Sequence, residues 1–133
     1  MPTRLRKFGN EGENIAVEYL EKKGYKIIAR NWQYKKVGEI DIIALAPKSA
    51  FWRREQRRFV FVEVKTRKTD TYGAPELAVH RSKQEKFVRT VLIYLQMHRL
   101  ESWPHQCDVI AITFHPITGT PHILHLENAM EGR

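Results

Sequence analysis

The chain of 133 residues contains a single cysteine, Cys107, and no long apolar segment. One cysteine excludes an internal disulfide and favours a reducing compartment, so we expect the protein in the cytoplasm. No apolar run reaches the roughly 18 residues that a membrane span needs, so no membrane partner is expected. The first seven residues carry charge without an apolar stretch after them, which predicts that they are not a signal peptide.

The sequence also lacks a zinc-binding pattern. It contains no Cys-x-x-Cys motif, and His122 and His125 stand three residues apart. On a strand, that spacing points the two imidazoles to opposite faces of the sheet. We therefore interpret the six histidines as surface or structural residues.

Acidic residues are few relative to basic ones. Fifteen acidic and 23 basic residues give a net charge of +8, which favours a polyanionic partner such as DNA, RNA or an anionic surface. A merely soluble basic protein is the alternative that charge alone leaves open. Because 42% of the residues are hydrophobic and no repeat or linker interrupts them, we predict one domain over residues 1–133.

Apolar periodicity predicts two helices and five strands. The first helix is expected over residues 9–23, with Asn10 as a candidate cap and Gly24 as its C-terminal stop. The second helix is expected over residues 78–99, with turns at 68–75 and 116–121 and a break at 102–105. The strands are expected over residues 25–32, 37–45, 58–67, 108–114 and 122–126. This order predicts an α/β fold with a mixed central sheet flanked by helices.

Two predicted strands carry acids among strongly apolar neighbours. Asp41 lies in the run 38–44, and Glu63 lies in the run 61–65, two residues before Lys65. An unpaired buried charge costs several kcal/mol, so such positions call for a partner. Strands adjacent in sequence tend to pair, and pairing these two as a hairpin would place Asp41 beside Glu63 and Lys65.

A third acid falls on the inner face of the first predicted helix. At about 100° per residue, Glu13 is in line with Ala16, Val17 and Leu20. An acid on that face needs a partner, and a metal ion or a lysine would serve. A helix-dipole glutamate at the edge of the apolar stripe is the alternative.

Together these groups predict a hard-cation site. Carboxylate oxygens with waters match the preference of Mg²⁺ or Mn²⁺. An ion held by Asp41 and Glu63 would lower the pKa of its bound water and neutralise a phosphodiester oxygen. Lys65 would orient the attacking water or stabilise the transition state. The alternative is a buried ion-pair network, which stabilises poorly because desolvation offsets the Coulomb gain.

Basic side chains supply candidates for phosphate contact. The segment 47–58 places Phe51 and Trp52 among several arginines, and such a loop can grip phosphates and stack on bases. A solvated loop tip is the alternative. The candidate nucleic-acid-binding residues are Arg53, Arg54, Arg57, Arg67, Lys83 and Lys86.

Asp41 followed by Glu63-Val64-Lys65 resembles the PD-(D/E)xK nuclease motif of restriction-endonuclease-like folds, although Ile40 stands where the motif's proline would be. Over almost the whole chain the sequence also resembles the YraN-like family of uncharacterised bacterial proteins. The residues that carry this second resemblance are Gly9, Gly12-Glu13, Ala16, Tyr19-Leu20, Gly24, Arg30-Asn31, Gly38-Glu39-Ile40-Asp41, Phe61-Val62-Glu63-Val64-Lys65, Asp108-Val109-Ile110 and His125-Leu126-Glu127-Asn128-Ala129.

The resemblance implies a restriction-endonuclease-like αβββαβ core, with archaeal Holliday-junction resolvases as nearby relatives. It implies catalytic roles for Asp41, Glu63, Lys65 and Glu13, with Mg²⁺ or Mn²⁺ bound by the three acids, and it suggests a homodimer. The leading hypothesis is a Mg²⁺-dependent endonuclease that hydrolyses phosphodiester bonds in DNA, including branched or recombination intermediates. The alternatives are a non-catalytic nucleic-acid-binding module of DNA repair or recombination with structural acids, and an RNA-processing nuclease.

Overall fold

Two helices and five strands make up the part of the chain that the computed structural model describes, residues 4–48, 57–67 and 81–130. The helices are α1 (Arg4–Lys22) and α2 (Arg81–Met97); the strands are β1 (Lys26–Tyr34), β2 (Gly38–Leu45), β3 (Phe59–Arg67), β4 (His105–Phe114) and β5 (Pro121–Leu126). Their order along the chain is the predicted one. The mixed α/β class is therefore confirmed.

The five strands form one sheet in sequence order, β1-β2-β3-β4-β5. Three neighbouring pairs are antiparallel, and β3 and β4 are parallel. A parallel pair needs a crossover connection, and α2 lies in the segment that joins β3 to β4. The predicted hairpin between β2 and β3 is confirmed, and the arrangement contains the αβββαβ core with one further strand.

The two helices cover opposite faces of the sheet. Ala16 and Leu20 of α1 pack in a buried cluster with Val62, whereas Phe87 of α2 packs in a second cluster with Phe61. Since neighbouring strand residues point to opposite faces, Phe61 and Val62 belong to different layers. The lone cysteine lies in the α2 cluster, and burial raises the pKa of its thiol to about 12.

The first helix begins earlier than predicted. α1 starts at Arg4 rather than at residue 9, so Asn10 lies inside the helix and does not cap it. Lysine and arginine are good helix formers, and this basic segment extends the helix without an apolar stripe to reveal it. The other end agrees with the prediction: Gly24 follows the helix with φ of +93°.

The second helix ends two residues before its predicted limit. Arg99 adopts a left-handed φ of 55°, and the Leu100 N–H bonds the Leu95 carbonyl at 2.7 Å, which closes the helix after Met97. The predicted helix start at residue 78 and the predicted turn at 68–75 lie outside the described residues.

The fourth strand begins three residues earlier than predicted. His105 pairs with Phe59, so the parallel ladder of β3 reaches into the expected break at 102–105. Cross-strand pairing decides this boundary, since His105 and Gln106 show no apolar signal of their own.

The aliphatic residues of α2 divide between core and surface. Leu95 is buried, Ile93 is half-buried, and Leu92 is 54% exposed. A singly exposed leucine is normal on a monomer, so the homodimer stays a prediction. Neither helix in the described part of the chain has the length and apolar character needed to cross a membrane.

A buried carboxylate anchors the C-terminal part of the sheet. Asp108 is fully buried, and its Oδ1 accepts hydrogen bonds from the Asn128 N–H at 2.8 Å and from Gln106 Nε2 at 2.9 Å. Its Oδ2 lies 2.7 Å from Nε2 of His125. Three partners satisfy this buried acid, as the desolvation cost requires.

His125 connects the Asp108 carboxylate to α1. Its Nδ1 lies 3.0 Å from the hydroxyl of Tyr19, which also accepts a hydrogen bond from Lys23 Nζ at 3.2 Å. An ammonium can only donate and a carboxylate can only accept, so we assign Nε2 as the protonated nitrogen of His125. The resulting chain of hydrogen bonds ties α1 to β4 and β5, which agrees with a structural role for this histidine.

Replacing Asp108 by alanine would leave three hydrogen-bond donors at a buried position without their acceptor. We expect the free energy of unfolding to fall by about 3 kcal/mol, measured by urea denaturation at pH 7. Gln106→Ala, which removes one of the three bonds, should cost about 1 kcal/mol or less. Similar small losses in the two variants would contradict the anchoring role of the carboxylate.

Candidate active site

β2 and β3 separate from each other at the position of the two predicted strand acids. Their last residue pair is Ile42 with Val62, and Asp41 and Glu63 are the next residues on the two strands. There the Oδ2 of Asp41 accepts a hydrogen bond from the Val64 N–H at 2.8 Å. The side chain thus takes the place of a strand carbonyl and is fixed against β3.

The environment of Asp41 favours its protonated form. Burial raises the pKa of this carboxyl to about 7, because the charged form loses its hydration. The hydrogen bond from the Val64 N–H lowers the pKa, whereas the negative charges of Glu13, Glu63 and Glu39 raise it. Three further acids therefore lie close enough to Asp41 to repel its charge.

Glu63 is buried and only partly satisfied. Its side chain is 8% exposed, and its Oε1 forms an ion pair with Lys83 Nζ at 3.0 Å. Its Oε2 is buried without a hydrogen-bond partner among the described residues. Buried side-chain oxygens are usually paired, so this oxygen has unused capacity for a donor or a cation.

Glu13 reaches the region from the α1 side of the sheet. Its side chain is 13% exposed, and its Oε1 lies 3.6 Å from Arg30 Nη2. That oxygen is buried and has no hydrogen bond within the described part of the chain. The preceding residue, Gly12, permits the close approach of α1 to β3, because an added Cβ would overlap Oγ1 of Thr66.

Lys65 is half-buried two residues beyond Glu63, where it pairs with Ala111 in the parallel ladder. Strand alternation places it on the same face as Glu63. The structure thus brings Asp41 and Glu63 together at one end of the β2–β3 pairing, with Glu13 close enough to Asp41 for their charges to interact. Asp41 and Glu63 line the adjacent cleft, and Lys65 and Glu13 do not.

This cleft has a volume of about 560 Å³ and two basic walls. Lys35 and Lys36, in the turn between β1 and β2, border one side, and Lys83 and Lys86 of α2 border the other. All four lysines are exposed, whereas the acids below them are largely buried. We call these four residues the lysine rim; their charge suits phosphate groups.

Lys35 and Lys36 were missed as binding candidates from the sequence. Their signal is a pair of adjacent lysines in the short connection between two predicted strands, which usually indicates a solvated turn. Only packing brings them opposite Lys83. The start of β2 lies so close to α2 that a Cβ added to Gly38 would overlap Oγ1 of the buried Thr90.

Arg57 lies away from the cleft, in contrast to the predicted contacts Lys83 and Lys86. Its Nε donates to the Ala46 carbonyl at 2.7 Å, and its Nη2 donates to the Gly24 carbonyl at 3.1 Å. These bonds tie it to the opposite end of the β2–β3 pairing, where it satisfies backbone oxygens outside the sheet.

Of the remaining predicted nucleic-acid contacts, the structure describes Arg67, which does not line the cleft. Arg67 is the half-buried last residue of β3. Arg53 and Arg54 lie outside the described residues. Their binding roles stay predictions.

The metal ligands also stay a prediction. As their side chains stand, no three His, Cys, Asp or Glu residues in the ranges 4–48, 57–67 and 81–130 form a group that could hold a metal ion. Besides burial, the charges of Glu13 and Glu63 raise the pKa of Asp41, so the three carboxyl groups lie near one another. Their side chains would have to turn toward a shared ion to become its ligands.

Fold and cleft together define a mixed α/β protein in which two strand acids, the half-buried Asp41 and the buried Glu63, lie beneath the lysine rim. The chain belongs to the Uncharacterised protein family UPF0102, whose match covers residues 12–112. This range contains the two acids and the four lysines. The expected family of uncharacterised bacterial proteins is thus supported at this level.

Similar proteins share most of their length with this chain. A UPF0102 protein of Syntrophus aciditrophicus is 41% identical over 114 residues, covering 86% of this chain and 82% of the relative. One of Geobacter metallireducens is 40% identical over 132 residues, covering 98% of each. One of Thermodesulfovibrio yellowstonii is 40% identical over 121 residues, covering 91% of this chain and 93% of the relative.

The raised pKa of Asp41 predicts a pH-dependent gain of stability in Asp41→Asn. With a pKa of about 7 in the folded state and an ordinary value of 3.8, the acid disfavours folding increasingly as pH rises through this window. Asparagine keeps an acceptor for the Val64 N–H and carries no charge. Its stabilising effect in metal-free buffer should grow by roughly 1–3 kcal/mol between pH 5 and pH 8.5.

Urea denaturation of both proteins at the two pH values measures this difference. Glu18→Gln is the matched control, since Glu18 is exposed on α1 and forms an ion pair with Lys22 across one turn. Its effect on stability should not change between the two pH values. An Asp41→Asn effect equally independent of pH would contradict a buried, charge-disfavoured carboxyl.

Proposed function

We propose that the chain is a metal-dependent nuclease that hydrolyses phosphodiester bonds, with DNA as the expected substrate. One observation carries the proposal. Two carboxylates, the half-buried Asp41 and the buried Glu63, meet where paired strands separate, and the lysine rim borders the same cleft. A buried acid pair is costly unless a cation or proton compensates it, and basic walls favour a phosphate-bearing substrate.

The acids suit a divalent ion. Glu63 Oε2 and Glu13 Oε1 are buried and lack hydrogen-bond partners within the described residues, and carboxylate oxygens are the ligands that Mg²⁺ and Mn²⁺ prefer. Asp41 and Glu63 would hold the ion, with Glu13 as a third ligand. Once bound, the ion would lower the pKa of its water and neutralise a phosphodiester oxygen.

The protein's own groups supply orientation and charge. The Val64 N–H holds the Asp41 carboxylate toward Glu63, which reduces the reorganisation needed on binding. The Lys65 ammonium would orient the attacking water or stabilise the charge that develops on the phosphorus oxygens. The lysine rim would hold the flanking phosphates, so substrate affinity should fall steeply with salt.

The preference for DNA, and for branched or recombination intermediates in particular, comes from the resemblance to Holliday-junction resolvases. A single contact favours the non-catalytic alternative. The ion pair of Lys83 with Glu63 at 3.0 Å gives this acid a structural partner without a metal. Experiments that separate metal binding from nucleic-acid binding distinguish the two functions.

Divalent metal should raise the melting temperature of the wild-type protein. A ligand that binds only the native state stabilises it, and Mg²⁺ or Mn²⁺ at about 100 times its Kd should raise Tm by about 5 °C or more. The rise should vanish in Asp41→Ala and in Glu63→Ala and persist in Glu18→Ala, an exposed control. The same rise in all three variants would contradict a metal site at the strand acids.

A cleavage panel tests the reaction itself. With Mn²⁺, we expect the wild-type protein to cut at least one member of a set of branched, flapped, linear and single-stranded DNAs, with matched RNAs for comparison. Lys65→Ala should cut at least 100-fold more slowly and still bind the substrate. Because Lys65 is half-buried, circular dichroism and melting of the variant must accompany the assay.

The outcomes separate the candidate functions. Cleavage of RNA alone would identify an RNA-processing nuclease with the same site. Salt-sensitive DNA binding that needs no metal and survives Asp41→Ala, without cleavage of any substrate, would instead establish a binding module with structural acids.

A further inference from the structure

The ion pair between Lys83 and Glu63 joins an exposed cation to a buried acid. The Lys83 side chain is 59% exposed, the Glu63 side chain is 8% exposed, and Nζ lies 3.0 Å from Oε1. The other oxygen of the same carboxylate is buried without a hydrogen bond in the described part of the chain. Thus one oxygen of the Glu63 carboxylate contacts a lysine, and the other forms no hydrogen bond with the described residues.

We propose that Lys83 is a displaceable counter-ion of Glu63, which a divalent metal ion expels from the carboxylate when it binds. This inference rests on the proposed metal site. In the metal-free protein the ammonium compensates the buried charge; in the metal-loaded protein the ion does so. Lys83 is then a positioning residue, because it acts on the metal through Glu63.

The unequal burial of the two partners makes the exchange favourable. A buried carboxylate without a counter-charge is costly, so Glu63 needs a cation in every state of the protein. Lys83 has no comparable need, because an exposed ammonium on its flexible four-carbon stem is well hydrated outside the pair. Replacing the ammonium by a metal ion therefore leaves the acid compensated and returns the lysine to water.

Coulomb repulsion makes the two cations compete. Mg²⁺ binds carboxylate oxygens at about 2.0–2.1 Å in proteins generally. In this structure Nζ of Lys83 already lies 3.0 Å from Oε1 of Glu63. A doubly charged ion and an ammonium on one carboxylate are within a few ångströms, where like charges in a partly buried site repel strongly. Each cation must then weaken the binding of the other by the same factor.

After its displacement from Glu63, the Lys83 ammonium would remain at the lysine rim of the cleft. Lys83 borders the same cleft as Lys35, Lys36 and Lys86, on the wall formed by α2. Released from Glu63, it becomes available to a phosphate at the lysine rim. Metal loading would thereby add one cation to the surface that holds the substrate.

Titration calorimetry with Mn²⁺ alone tests the competition without any cleavage. Lys83→Gln removes the resident cation and should bind Mn²⁺ about fivefold or more tightly than the wild-type protein. Lys86→Gln is the matched control, because it removes one charge from the same helix and the same cleft wall. Among the described residues the structure pairs Glu63 with Lys83 alone, so Lys86→Gln should change the Mn²⁺ affinity by less than about twofold.

A gain of affinity is the informative result, since damage to the fold would weaken binding. The separate variant Lys83→Arg keeps a cation beside Glu63, so its affinity for Mn²⁺ should stay within about twofold of the wild-type value. Equal or weaker Mn²⁺ binding by Lys83→Gln, or an equal gain in Lys86→Gln, would overturn the inference and leave the metal site intact. Absence of Mn²⁺ binding in all of these proteins would overturn the metal site and the inference together.

Discussion

A single hydrogen bond, from the Val64 amide to the Asp41 carboxylate, closes the end of the β2–β3 pairing and sets the geometry of the cleft. It replaces a strand carbonyl by a side chain, so the two strands can separate without leaving that amide unsatisfied. The separation places Asp41 and Glu63 side by side. The burial of Asp41 raises the pKa of its carboxyl to about 7, and the negative charges of Glu13, Glu63 and Glu39 raise it further.

Two polar centres in the protein show how a satisfied acid differs from an unsatisfied one. Asp108 is fully buried, yet Asn128, Gln106 and His125 occupy both of its oxygens, so it ties elements together. Glu63 is almost as buried, but one oxygen holds an exposed lysine and the other holds no partner in the described residues. The first arrangement is typical of structural anchors, and the second is typical of sites that bind a ligand.

Much of the fold and the strand positions of the two acids could be predicted from local sequence patterns. Acids set among β-branched and aromatic residues indicated strands with buried charge at Asp41 and Glu63, and their closeness along the chain favoured a hairpin. Element boundaries were less predictable. The start of α1 is mostly basic, with only Leu5 and Phe8 as apolar residues, so its apolar signal is weak. The first residues of β4, His105 and Gln106, have no apolar signal, because cross-strand pairing creates this end of the strand.

By itself, the sequence determined the α/β class, the order of the elements and the strand positions of the two acids, because alternation and helical periodicity are properties of neighbouring residues. The tertiary structure alone decided that the turn lysines face α2, that Lys83 pairs with Glu63, and that Arg57 binds backbone carbonyls at the far end of the sheet. These contacts join residues distant in the chain. They depend on the crossover that places α2 on the sheet and on the close approach of β2 to α2 at Gly38. Packing, rather than local propensity, determines both.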